Sequence, residues 1–157
     1  MDITSPAMSK NSRIYAEAIK QNPDNPDLLY SAGMTFLAAG MYDRSLETLD
    51  RCISLDPFNN DALFLESIAA LGGKRPFACD RRKVDKAIEC INAAISLEDR
   101  GIYRFMSAFL RYDYYSRKFL RINPDYKSEL ETATMLGVSE LEISDLFKLL
   151  KTERLGF

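Results

Sequence analysis

Histidine is absent from the 157-residue chain, and cysteine occurs only as Cys52, Cys79 and Cys90. Without histidine the chain lacks the commonest general base and metal ligand, which excludes serine–histidine and cysteine–histidine hydrolysis. No two cysteines have Cys-x-x-Cys spacing, and an odd number without an export signal is typical of reduced thiols. We therefore expect no enzymatic activity, no catalytic residue, no metal and no cofactor.

Long apolar runs and an excess of basic residues are missing as well. No run approaches the ~20 residues of a membrane span, and the polar start, MDITSPAMSKNS, lacks the apolar centre of a signal peptide. We expect a cytoplasmic protein without a membrane partner. The net charge of −2 disfavours nucleic acid as a partner. Apolar residues make up 46% of the chain and charged residues 28%, which is an ordinary balance for one globular domain.

Residues 26–59, PDLLYSAGMTFLAAGMYDRSLETLDRCISLDPFN, carry the strongest positive signal. They resemble a tetratricopeptide repeat, a pair of helices about 34 residues long with the pattern W-x2-L-G-x2-Y, A-x3-F and a closing proline. The matching positions, in chain order, are Leu29, Ala32, Gly33, Phe36, Ser45, Leu49 and Pro57. Gly33 is small where two helices must approach closely, and Gly40 suits the end of a helix.

Weaker copies flank this repeat. Residues 12–25 resemble only the second helix of a preceding pair, so the chain is either capped by a half repeat or a fragment of a longer protein. Residues 61–73 and 83–99 resemble a following pair, with an inserted loop near 72–83. The resemblance implies an all-α fold: a short right-handed helical solenoid of about two and a half repeats over residues 12–99, after a flexible segment 1–11.

The C-terminal third follows a different pattern. Residues 102–122 contain no turn signal and predict one long helix. Residues 129–148 resemble a helix-turn-helix, in which Gly137 forms the turn and Ser139 with Glu142 forms a capping box. We predict that residues 102–157 form a long helix and a two-helix C-terminal cap that belong to the same domain as the repeats.

The helix-turn-helix resemblance leaves an alternative function open. A transcription-associated or nucleic-acid-binding protein would use the second helix of this motif to contact bases. That helix offers Glu140, Glu142 and Asp145, whereas bases and phosphates are contacted by cations and amides. Nucleic-acid binding is therefore the disfavoured alternative.

The resemblance also implies where a partner would bind, because the first helices of tetratricopeptide pairs line a concave groove. One stripe of residues recurs there at helical spacing: Asp27, Tyr30, Met34 and Leu37, then Asp61, Phe64, Ile68 and Leu71. These residues predict a largely apolar groove that binds a helix or peptide of a protein partner, in a non-catalytic adaptor, chaperone or scaffold. The chain's own downstream helix or a second copy, in a homodimer, could fill the groove instead.

Basic residues cluster in two places. The first group surrounds the inserted loop: Lys74, Arg75, Arg81, Arg82, Lys83 and Lys86. The second follows the long helix: Arg104, Arg111, Arg117, Lys118, Arg121 and Lys127. These residues form either a surface for an acidic partner or a solvated face. We favour the solvated face, because runs of charged residues are usually exposed to solvent without a binding role.

Overall fold

The computed structural model describes residues 9–157, and this part of the chain contains helices and no strands. Its eight α-helices are α1 (Lys10–Gln21), α2 (Pro26–Ala38), α3 (Tyr42–Leu55), α4 (Asn60–Ala69), α5 (Arg81–Leu97), α6 (Gly101–Leu110), α7 (Tyr126–Met135) and α8 (Glu140–Leu150). The predicted all-α fold is confirmed. The segment predicted to be flexible, 1–11, lies largely outside the described residues, and α1 begins within its last two positions.

The helices stack as a solenoid in which each packs on the next. Contacts join α1 to α2, and so on along the chain as far as α6 and α7. The first helices of the two repeats, α2 and α4, also contact each other directly. Asn25 and Asn59, one repeat length apart, start these two helices by accepting hydrogen bonds from Leu28 and Ala62 amides at 3.2 and 3.0 Å.

The contact between α2 and α3 explains the repeat motif. The Ser45 hydroxyl on α3 donates to the Gly33 carbonyl on α2 at 2.8 Å. A Cβ atom added to Gly33 would lie 2.5 Å from Leu49 Cδ2, and Leu49 is fully buried. Glycine is therefore required at this position because any side chain would enter the space that Leu49 fills.

The inserted loop is fastened to the region after α6. It contains a short 3₁₀ helix, Pro76–Ala78. The fully buried carboxylate of Asp113 accepts from Arg75 Nη2 at 2.6 Å, from the Phe77 amide at 2.9 Å and from Arg117 Nη1 at 2.8 Å. Burial alone would raise the pKa of Asp113, but these donors hold it below its usual value. The insertion is thus part of the packed structure.

The long helix predicted over residues 102–122 is shorter in the structure. After α6 the chain continues as a π-helical segment, Arg111–Ser116, and then turns. Phe119 adopts a left-handed conformation with φ of 58°, which ends the helical path. The widened π turn coincides with two charged side chains, Arg111 and Asp113, that are buried and bonded to other elements.

A buried carboxylate marks the second repeat. Glu66 occupies the position of Ala32 one repeat earlier and is only 2% exposed. Lys86 Nζ lies 3.4 Å from Glu66 Oε1, yet that oxygen has no hydrogen-bond partner among the described residues. Burial, followed by the neighbouring carboxyl group of Asp50, raises the pKa of Glu66 to about 8.

We expect Gly33→Ala to destabilise the protein by about 1–3 kcal/mol, because the new methyl group overpacks the α2–α3 contact. The free energy of unfolding in urea measures this change. Ser31→Ala, in the same helix but away from Leu49, is the control and should change it by less than about 0.5 kcal/mol. Equal effects of the two substitutions would contradict the close-approach explanation.

The Glu66 carboxyl makes stability depend on pH. Its pKa is higher in the folded protein than the ordinary value of 4.5, so its contribution is fully present below that value and is lost as pH rises through about 8. Glu66→Gln should remove this decline, and the variant should be the more stable protein at pH 9. Urea unfolding at pH 5, 7 and 9 measures the free energy of unfolding of both proteins. If this free energy changes with pH in the same way in the two proteins, the pH dependence does not come from Glu66.

Candidate functional site

Some residues of the predicted groove stripe are buried in the structure, and others are exposed. Leu37, Ile68 and Leu71 are 0%, 1% and 1% exposed, so they are core residues rather than surface residues. Met34 is 39% exposed, and Tyr30 and Phe64 are partly exposed. Only part of the predicted set is therefore accessible to a partner in this conformation.

Helix α8 belongs to the same hydrophobic core as the buried part of the stripe. It packs against α4 and α6, and just beyond its end Lys151 Nζ donates to the carbonyl of Ala38, the last residue of α2, at 3.2 Å. The inward residues of α8 belong to the same buried cluster as the buried part of the stripe: Ile143, Leu146, Phe147 and Leu150. The chain's own downstream helix thus packs on the first helices of two layers, α4 and α6, and the residue after it reaches the end of α2.

Aromatic rings fix α8 and the chain end against α6. The ring of Phe147 lies 5.1 Å from that of Phe109 and 6.2 Å from that of Phe105, both close to edge-on. The ring of Phe157 lies 5.2 Å from Phe105 and 5.1 Å from Tyr112. Edge-to-face pairs at these separations add stabilisation beyond their buried area. The repeat pattern does not predict the packing of Phe157 on Phe105 and Tyr112, because this packing depends on how the last residues fold back onto α6 and the segment after it.

The uncovered part of the stripe lies where α2, α4 and the start of α6 meet. The Phe64 ring rests 5.1 Å from the Tyr103 ring of α6. Asp61 accepts from the Tyr103 hydroxyl at 2.6 Å and from Arg100 Nη1 at 3.1 Å. These contacts hold Asp61 and Phe64 in place on α4.

The side of this surface that α2 contributes is less constrained. Tyr30 packs partly buried against the core on α2, which contacts α4. Burial, followed by the charge of Asp61, raises the pKa of Tyr30. Met34 lies one turn further along the same face of α2, and Asp27 is exposed in its first turn. We name Asp27, Tyr30, Met34, Asp61 and Phe64 the open half of the groove.

The hairpin of α7 and α8 has the predicted local geometry. Gly137 turns with φ of 79°. The Ser139 hydroxyl accepts from the Glu142 amide at 3.1 Å, and Glu142 Oε1 accepts from the Ser139 amide at 3.0 Å, so the predicted capping box is confirmed. The outward side of α8 carries Glu140 and Asp145, while its inward side is occupied by packing on the solenoid.

The three cysteines are free and buried. Burial raises the pKa of each thiol, that of Cys90 to about 12. Such thiols are poor nucleophiles, because the reactive form is the thiolate. Within residues 9–157 no cluster of ligating side chains is arranged to hold a metal ion, and no helix combines the length and apolar character needed to cross a membrane.

The stacked helix pairs define a helical-repeat protein. The tetratricopeptide-repeat family model matches residues 14–47, which run from α1 through α2 into α3. The predicted resemblance to this family is thereby confirmed. BBSome complex member BBS4 of Bos taurus is 32% identical over 56 residues, which are 36% of this chain and 11% of that protein.

Solved structures extend the likeness of the fold over most of the chain. MamA MSR-1 C2 superposes with a TM-score of 0.62 at 18% identity, covering 81% of this chain and 66% of that one. MamA RS-1 ArsTM double mutant gives a TM-score of 0.60 at 20% identity, covering 86% and 63%. The chain thus spans a small part of its curated relative and slightly under two thirds of these structures, and the likeness establishes the solenoid fold.

We expect Phe147→Ala to destabilise the whole domain by about 3 kcal/mol, since it leaves a cavity between α8 and α6. Leu141→Ala is the matched control, because Leu141 lies on the same helix but is 71% exposed; it should cost less than about 0.5 kcal/mol. Urea unfolding of both variants measures the difference. Similar small effects would mean that α8 is not part of the core.

Proposed function

We propose that this chain is a non-catalytic protein-interaction module, an adaptor or scaffold, that binds a helix or peptide of a partner in the open half of the groove. The observation that carries the proposal is the apolar face of α2, where Met34 is exposed and Tyr30 is partly exposed, beside the partly exposed Phe64 of α4. Methionine and aromatic side chains suit adaptable recognition of apolar anchors.

The charges around the open half suggest the chemistry of the partner. Asp27 and Asp61 place two carboxylates beside the apolar residues, and Asp61 already accepts from Arg100. A ligand with an apolar anchor flanked by lysine or arginine would complement this surface. We therefore propose an amphipathic segment with a basic residue next to its apolar side chains.

Other features support a binding role rather than chemistry. The thiols are buried with raised pKa values, and free cysteines are usual in the cytoplasm, where we propose that the protein resides. The nucleic-acid alternative finds no support in α8, since Glu140, Glu142 and Asp145 face outward or lie in its first turns. We propose no enzymatic activity and no cofactor.

The test is selection from a displayed library of helical peptides. Met34→Glu introduces a charge at an exposed position, so it should leave the unfolding midpoint unchanged. It should lower the affinity for the selected peptides at least ~10-fold. Met135→Glu is the matched control, because Met135 is an exposed methionine on α7; it should bind like the unsubstituted protein. Selected peptides should carry apolar anchors beside lysine or arginine.

Two outcomes would overturn the proposal. Equal peptide binding by both variants would place the binding site elsewhere. If instead no peptide is selected and sedimentation finds a dimer that Met34→Glu dissociates, the open half is a surface for a second copy of the chain.

A further inference from the structure

We propose that a cavity between the π-helical segment and the start of α7 binds a phosphate group, at a site separate from the open half of the groove. The cavity has a volume of about 530 Å³. Its lining includes Arg111, Leu120, Arg121, Asp125, Tyr126 and Lys127. It holds three of the basic residues whose role the sequence left open.

Arg111 is the most deeply buried of the three basic residues that line this cavity. Its side chain is only 3% exposed, and its bonds go to neutral acceptors: Ser107 Oγ at 3.0 Å, Pro124 carbonyl at 3.1 Å and Asn92 Oδ1 at 3.3 Å. These bonds use three of the five donors of a guanidinium group, which leaves two for a ligand. Among the described residues no carboxylate forms an ion pair with it, in contrast to Arg75, which is paired with Asp113.

A buried cation without a paired anion is costly. Removing a guanidinium from water carries a penalty that a carboxylate or phosphate normally offsets. Burial accordingly lowers the pKa of Arg111, although the charge of nearby Glu129 opposes that effect. Glu129 is bound to Arg104 Nη1 at 3.0 Å, and Arg104 also binds Asp99, so Glu129 supplies part of the charge near Arg111 without bonding to it. An oxyanion in the cavity would be an anionic partner bonded directly to Arg111, which the described carboxylates do not provide.

The charge of the cavity favours a phosphate over a single carboxylate. Arg111, Arg121 and Lys127 contribute positive charge, while Asp125 contributes one carboxylate. Asp125 Oδ1 accepts from the Ser128 amide at 2.9 Å as the cap of α7. The remaining excess of two positive charges matches the near-dianionic phosphate monoester at neutral pH, and arginine pairs with phosphate oxygens through parallel hydrogen bonds.

The rest of the cavity suits the group that carries the phosphate. Leu120, Ile122 and Tyr126 form apolar and aromatic walls around the basic residues. The volume exceeds what a phosphate alone needs, so part of an organic residue fits beside it. Two sources share this chemistry, free inorganic phosphate and a phosphorylated side chain of a partner.

Amide chemical shifts recorded during titration test the site. Inorganic phosphate and a short phosphoserine peptide are each added at constant ionic strength, with sodium chloride as the reference. We expect shifts at residues 111–127 with both phosphates and none with chloride. Both positions of the double variant Arg121→Ser/Lys127→Ser are exposed. The variant should bind phosphate at least ~10-fold more weakly, while Arg111 and the fold stay intact.

Arg82→Ser/Lys83→Ser removes two exposed cations at the start of α5 and is the matched control, which should bind like the unsubstituted protein. Tighter binding of the phosphopeptide than of inorganic phosphate would identify a phosphorylated partner, and equal binding would identify the free anion. Shifts spread over all basic residues, no shift at all, or equal loss in both double variants would overturn the proposal.

Discussion

The packing of α8 against α4 and α6 is the constraint on which the rest of the structure depends. The first helices of stacked pairs present an apolar concave face, and leaving all of it in water would forfeit ~25 cal/mol for each Å² of apolar surface. Phe147 packs on Phe105 and Phe109 of α6, and the inward leucines and isoleucine of α8 share one buried cluster with Leu37, Ile68 and Leu71. The same contact decides which stripe residues are core and which remain available to a partner, so the extent of the open half is set by where α8 lies.

Features governed by local rules could be predicted from the sequence. The motif around Gly33, Ser45 and Leu49 specifies a close helix contact, and the structure contains it. The capping box of Ser139 and Glu142 and the turn at Gly137 depend on residues a few positions apart, which makes them readable without knowledge of the fold. The helical-repeat class follows from the same short-range spacings.

Features set by contacts between distant segments could not be predicted. The stripe reads as uniform, but its division depends on α8, which lies 70 or more residues beyond α4 along the chain. The helical periodicity of apolar residues continues in the sequence through residues 111–122. In the structure this region contains the buried charges of Arg111 and Asp113 and a π-helical segment, and the helix ends earlier than predicted. Asp113 bonds directly to two arginines, whereas Arg111 bonds to no carboxylate among the described residues. This difference is visible only in three dimensions, and the phosphate proposal rests on it.

Amide hydrogen exchange within α8 tests the central claim, that this helix is an integral cover of the concave face, most directly. If the claim holds, the amides of residues 143–150 exchange with the same opening free energy as those of α4 and α6, because α8 separates only when the domain unfolds. The claim is contradicted if α8 exchanges through a local opening of much lower free energy while α4 and α6 stay protected. The helix would then be a removable lid, and Leu37, Ile68 and Leu71 would belong to the partner groove.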